Sequence, residues 1–278
     1  MSSPFLEWPA VLLLASCLCH GRTLRVCADP NNLPFSNRAG AGFENRLAEI
    51  LAHDLDAQLE YTWWSERKSF VKNSLNAGKC DVVPGIAVGT ASVLATQPYY
   101  RSSYVFVSRK DRNLHISSLL DDRLSALKIG VHVVNDDYAP PAHALAGRGL
   151  SGNLVGFNLF GEYGEENPPA KLIDAVERGE VDVAIVWGPF AGFFAKSETA
   201  PLDIGPVTPP AWMGIPFTYD ISMAVRPSDT ALKDELDKVL AHECPAIRDL
   251  LSTYGIPTVT EDKPKCGESQ QRFSVSLP

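Results

Sequence analysis

Residues 75–85 read LNAGKCDVVPG, and residues 176–188 read VERGEVDVAIVWG. Both run from a helix-like segment through Gly and a polar step into a short apolar run closed by Gly. The apolar runs are β-branched and bounded by turn residues, the mark of buried strands rather than helices. Their recurrence in the two halves of the chain is an internal repeat.

Working outward from the first stretch, TLRVCA (23–28) is a strand, and DPNNLPFSN after it is turn chemistry. GFENRLAEILAHDL (42–55) is an amphipathic helix whose Phe43, Leu47, Ile50, Leu51 and Leu55 share one face. QLEYTW (58–63) is a second strand, 70–77 a helix closed by Gly78, and CDVVP (80–84) a third strand. This β-α-β-α-β order implies a mainly parallel sheet flanked by helices. YVFVS (104–108) follows as a strand, and the charged RKDRN after it reads as a lobe boundary.

The order then restarts, with strands expected at 128–131, 154–159 and 181–187 and helices at 139–148, 170–178 and 189–196. The proline-rich APLDIGPVTPPAWMGIP leads to YDISMAV (219–225), a strand returning to the first half, and two more helices follow at 231–241 and 245–254. The expected fold is α/β and two-lobed with a cleft between the lobes. Lobe 1 is 22–108 with 217–278, lobe 2 is 112–214, and the crossovers fall near Val107–Arg112 and Gly214–Tyr219. Such doubled layouts bind ligands at the carboxyl ends of their strands.

AVLLLASCLC (10–19) is too short to span a bilayer, which takes about 20 apolar residues. It fits the apolar region of a signal peptide over residues 1–21, although Glu7 stands where a basic residue is usual. LASC (14–17) also matches a lipobox. Two alternatives therefore stand: a lipid anchor at Cys17, or cleavage near His20–Arg22 to a soluble periplasmic product. The net charge of −8 argues against nucleic acid, which requires a basic face.

Four cysteines remain after the leader: Cys27, Cys80, Cys244 and Cys266. An even count in an exported protein implies disulfides. Of three possible pairings, Cys27–Cys80 joins neighbouring strands and Cys244–Cys266 clips the C-terminal tail. No CxxC or HxxxH spacing supports a metal site.

The doubled layout, with lobe 1 completed by the C-terminal chain, resembles family 3 solute-binding proteins, type II periplasmic binding proteins that serve importers of polar amino acids. RVCADPNNLPFSN, GFENRLAEILA, DDYAPPAHALAGRGL, NPPAKLIDAVERGEVDVAIVWGPFAG and YDISMAVRPSD resemble more closely a subgroup, the MoxJ/XoxJ family. That resemblance implies a periplasmic accessory protein of a quinoprotein alcohol (methanol) dehydrogenase, active in its maturation or activation. The implied partners are the pyrroloquinoline-quinone (PQQ)-dependent enzyme and, as a second candidate, its cytochrome c. No cofactor of the chain's own is implied.

Amino-acid binders of family 3 hold the ligand's carboxylate with an Arg after a first-lobe loop and its ammonium with an Asp ending a second-lobe strand. Here no Arg lies between Pro84 and Tyr100, and Trp187 falls at the Asp position. Each lost charged partner costs about 2–5 kcal/mol, so a zwitterion is disfavoured. Trp187 with Gly188 after it, Tyr99, Tyr104, Phe35 and Trp212 are candidates to line the cleft, Tyr104 being the one best read as core. Asn31, Asn32, Asp136, Asp137 and Tyr138 are polar candidates just after strands, with turn formation as the alternative for Asn31 and Asn32. His132 reads as a loop histidine.

No GxSxG, SxxK, GxxxxGK[ST] or HExxH motif is present. The expectation is therefore a non-catalytic binding protein. The alternatives are a transport receptor for a small solute that is not an amino acid, and a dehydratase-like enzyme.

Overall fold

The computed structural model describes residues 21–134, 137–160 and 165–259. The expected leader, Cys17, Asp136 and Cys266 lie outside the described residues.

Strand β1 (Arg22–Ala28), helix α1 (Phe43–Asp54) and strand β2 (Ala57–Trp63) follow the reading closely. Helix α2 (Phe70–Asn73) is shorter than expected. Its regular turns end where the Ser74 hydroxyl donates back to Phe70 O at 2.7 Å, an alternative to helical bonding. Strand β3 is Val83–Ala87, and β4 (Tyr100–Arg109) is twice the length expected. The second half contributes β5 (Ile129–Val134), α3 (Pro140–Gly147), β6 (Leu154–Asn158), α4 (Lys171–Glu177), β7 (Val183–Trp187), α5 (Gly188–Phe194) and β8 (Leu202–Pro206). Strand β9 (Thr218–Val225) returns and leads to α6 (Thr230–His242) and α7 (Cys244–Thr253).

The β1/β2, β5/β6 and β5/β7 ladders are parallel, as alternating strands and helices dictate. Strands β4 and β9 link the lobes and add antiparallel ladders. Thr218–Ile221 of β9 pair with Tyr100–Ser103 of β4, while β7 and β8 pair with the rest of β4 from Tyr104 and Val105 onward. The crossover thus lies between Ser103 and Tyr104, several residues before the expected Val107–Arg112. The sequence misplaces it because the charged break holds the strand's last residue, Arg109, and a 3-10 turn at Lys110–Arg112, rather than a change of lobe. The returning chain changes lobes between Phe217, buried in the second core, and Thr218.

Alternation along β7 explains why its strand reads as an unbroken apolar run. Val183 and Ile185 enter one core with Phe106, Ile129 and Leu145. Ala184 and Val186 enter the other with Val107, Leu172 and Phe190. A strand buried on both faces needs apolar residues at every position. In the first lobe, Leu47 and Leu51 of α1 pack with Leu24, Val26 and Met223 of the strands, Leu236 of α6 and Ile247 of α7.

Cys27 and Cys80 form the disulfide expected of them. It sits in a buried cluster with Phe70, Leu75 and Val83. Beside it, Asp81 accepts from Arg25 Nε at 3.0 Å and from Arg226 Nη2 at 3.1 Å, which holds its carboxyl below the usual range against the opposing effect of burial. Cys244 is buried, with Arg248 Nη2 donating to its sulfur at 3.5 Å. Among the described residues it has no disulfide partner.

Candidate functional site

The carboxyl ends of β5 and β7 face the turn after β1 and the start of α1. A cavity of about 260 Å3 lies between them. Its second-lobe wall is Tyr104, His132, Trp187 and Phe190, and its first-lobe wall includes Phe35, Glu44, Glu66 and Tyr100. Tyr219, just past the returning crossover, closes one side.

The rings form a connected set. Phe35 from the first lobe meets Phe190 of α5 edge-on at 5.1 Å between centroids. Trp187 lies 5.4 Å from Tyr104 and 5.9 Å from Tyr219. Such tilted contacts put ring edges against ring faces, the favoured arrangement. Tyr104, read as core, packs against the second lobe's core and also lines the cavity, because it stands at the crossover.

Two carboxyl groups break the aromatic surface. Glu44, in the first turn of α1, is only 5% exposed. Tyr99 Oη donates to its Oε1 at 3.5 Å and itself accepts from Gly85 N at 3.2 Å. Burial, reinforced by the charge of Glu66, pushes the Glu44 carboxyl well above its usual range. Gly85 makes room for it, because a Cβ there would stand 2.3 Å from Glu44 Oε1. Glu66 accepts from Asn32 Nδ2 at 2.7 Å. Its pKa rises to about 7, through burial first and then the neighbouring charge of Asp29. Asp29 accepts from the Asn31 and Glu66 amides at 2.8 and 2.6 Å; these bonds oppose a burial effect that still raises its pKa. The described cavity-lining residues include no Lys or Arg.

His132 is not a loop residue. It lies in β5, 3% exposed, with its Nε2 3.4 Å from Pro169 O and its ring against Phe190. Burial drives its pKa down to about 4, so the imidazole is neutral at pH 7.

The sequence candidates scatter around this geometry. Trp187 and Phe35 line the cavity. Asn32 and Tyr99 stand one bond behind it, each holding a glutamate. Asn31 bridges the lobes at the rim: its Nδ2 donates to Glu165 O at 2.6 Å, and its Oδ1 accepts from Asn167 N at 3.4 Å. Four candidates are corrected. Asp137 and Tyr138 are exposed on a two-residue strand, where Asp137 pairs with His143 at 3.1 Å. Trp212 packs on the second lobe's core, away from the cavity, because its short strand folds back over α3. Gly188 does not line the cavity either; it starts α5, where a Cβ would lie 2.8 Å from Ser103 O. Sequence reasoning missed Glu44, Glu66, His132 and Phe190.

Residues 24–243 match the model of the family described as bacterial extracellular solute-binding proteins, family 3. The chain belongs to that family. Within it the chain is MoxJ-like: it is 31% identical to Protein MoxJ of Methylorubrum extorquens over 85% of this chain and 82% of that protein. Among solved structures it is similar to MxaJ from Methlophaga aminisulfidivorans, at TM-score 0.75 and 30% identity, covering 85% of this chain and all of that one. It is also similar to the periplasmic binding protein XoxJ from Methylobacterium extorquens, at TM-score 0.71 and 34% identity, covering 85% of this chain and 99% of that one. These likenesses carry the two-lobed type II binding-protein fold, and the family is one of solute-binding proteins rather than enzymes. Among the described residues, no helix is long and apolar enough to cross a membrane.

Proposed function

We propose that the protein is a periplasmic, non-catalytic accessory protein of a PQQ-dependent alcohol dehydrogenase, aiding its maturation or activation through the inter-lobe cleft. The observation that carries this reading is Trp187, a ring at the end of β7 in a cavity with no cationic side chain among its described lining residues. A zwitterionic amino acid would enter with its carboxylate unpaired, at a cost of several kcal/mol. The cleft is therefore not built for transport of polar amino acids, while its MoxJ-like sequence points to the dehydrogenase system. Two strand crossings, at Ser103–Tyr104 and Phe217–Thr218, give the lobes a hinge that couples opening to partner binding. Residues 1–21 supply the export signal.

Affinity capture of the tagged protein from periplasm of alcohol-grown cells tests the reading. Co-purification of a quinoprotein dehydrogenase supports it; capture without that enzyme, or purified-protein turnover of a substrate, refutes it. A second reading, a receptor for a small solute that is not an amino acid, is favoured by the size of the cavity, near the lower end of small-molecule sites at about 300–1,000 Å3. Its cytoplasmic-membrane partner would be an ABC importer.

A further inference from the structure

We infer that the inter-lobe cavity is a site for a small organic cation without a carboxylate, such as a quaternary ammonium ion, held between the aromatic walls and the carboxyl groups of Glu44 and Glu66. The inference goes beyond the accessory role and stands on the cavity's chemistry alone.

Glu44 is more than nine-tenths buried and lines the cavity, yet its one hydrogen bond is the long contact from Tyr99 to Oε1. Its Oε2 has no donor among the described residues. A carboxyl group so placed is expensive to ionise unless a positive charge reaches it. The described lining residues supply none. His132, across the cavity, is held neutral by burial. Arg67 acts on Asp29, behind the wall.

The remaining lining is what an alkylated cation requires. Phe35, Tyr100, Tyr104, Trp187, Phe190 and Tyr219 surround the space from both lobes. Aromatic faces carry negative potential and attract cations while contacting methyl groups by dispersion. An anion would meet two carboxyl groups, and a neutral guest would leave Glu44 protonated and gain nothing from its charge, whereas a cation is stabilised by the ionised form. A divalent metal ion needs about six oxygen ligands, which walls made of rings do not supply. Gly85 is part of the design, since any side chain there would displace the Glu44 carboxyl.

The test is calorimetric titration of the purified full chain with choline and with its neutral isostere 3,3-dimethyl-1-butanol. The two share shape and hydroxyl, so their difference reports charge. Choline should bind at submillimolar concentration and at least about tenfold more tightly than the isostere. Its affinity should rise with pH from 6 to 8 as Glu66, whose pKa is about 7, gives up its proton, with Glu44, Asp29, Tyr99 and His132 as the other titratable neighbours, while the isostere's affinity stays flat. Glu44→Gln should erase most of the preference, and Trp187→Leu should weaken choline at unchanged pH dependence. Equal binding of both probes, or no heat from choline at millimolar concentration, overturns the inference even if a variant fails to fold, because that comparison uses the unmodified protein. Dehydrogenase capture is measured separately, so either reading can fail alone.

Discussion

Replacing Glu66 by Gln should make the protein more stable at alkaline pH and leave it unchanged in acid. In the unfolded chain this carboxyl titrates near 4.5, and in the folded protein its pKa is about 7. Between those values the folded state holds a proton that the unfolded state has released. The unfolded state binds fewer protons, so stability falls as pH rises through this window. Integrating from 4.5 to 7 gives a loss of about 3 kcal/mol for a fully desolvated group. Glu66 is only partly buried and water screens its ionised form, so a penalty of about 2 kcal/mol is the realistic figure. Gln keeps an oxygen for Asn32 Nδ2 but cannot ionise. The variant should therefore match the parent below pH 4.5 and exceed it by about 2 kcal/mol at pH 8, or about 4–8 °C in Tm. Urea titrations of both proteins across pH 4.5–8, with the disulfide intact, measure the difference directly. Glu44 adds a fall of the same sign in both proteins, smaller in the variant because the charge of Glu66 no longer reinforces it, which widens the difference in the same direction. Parallel stability curves would refute the reasoning, because Glu66 would then be titrating as it does in water.

His132→Phe should show the opposite pH signature. The folded pKa is lowered from 6.5 to about 4, so the parent loses stability as pH falls through that window. The difference should move by about 3 kcal/mol in the variant's favour from pH 6.5 to 4, as read by the same urea titrations. Breaking the Cys27–Cys80 bridge by a double Ser substitution frees a loop spanning 53 positions, which chain-entropy models value at about 4 kcal/mol; thermal unfolding with and without the bridge checks this. Gly192→Val should push the lobes apart at the back of the cleft, because a Cβ at this point of α5 would stand 2.0 Å from Gly255 O. The expected readouts are an increased radius of gyration by small-angle scattering and a destabilisation of about 1–3 kcal/mol.

The strands and helices were largely legible because their patterns are local. Val183–Trp187 reads as a doubly buried strand, and Phe43–Asp54 carries its apolar stripe openly. The first half of β4 was not legible: Tyr100–Ser103 includes Arg and two Ser, and it is a strand only because β9 pairs with it and Ser102 Oγ donates to Pro257 O at 2.7 Å. The site divided along the same line. Trp187 could be placed because it ends a recognisable strand before Gly-Pro. Glu44 sits in an amphipathic helix where any acid passes for a solvated one, and its enclosure by Tyr99 and Gly85, distant in the chain, leaves no local trace. Glu66 lies in a turn with no periodicity to read. His132 lies just beyond Val131, where the expected strand stopped; β5 in fact runs on to Val134. Tyr138 and Trp212 failed as cleft residues for the converse reason, since an aromatic in a loop carries no sign of which way that loop folds.

The accessory role is tested most directly by biolayer interferometry between the immobilised protein and the dehydrogenase purified in its apo and PQQ-loaded forms. Saturable binding that differs between the two forms and weakens when Trp187 is replaced by Ala, with the variant's fold verified by circular dichroism, is the predicted result. Absence of binding to either form, or binding indifferent to both cofactor loading and Trp187, would contradict it.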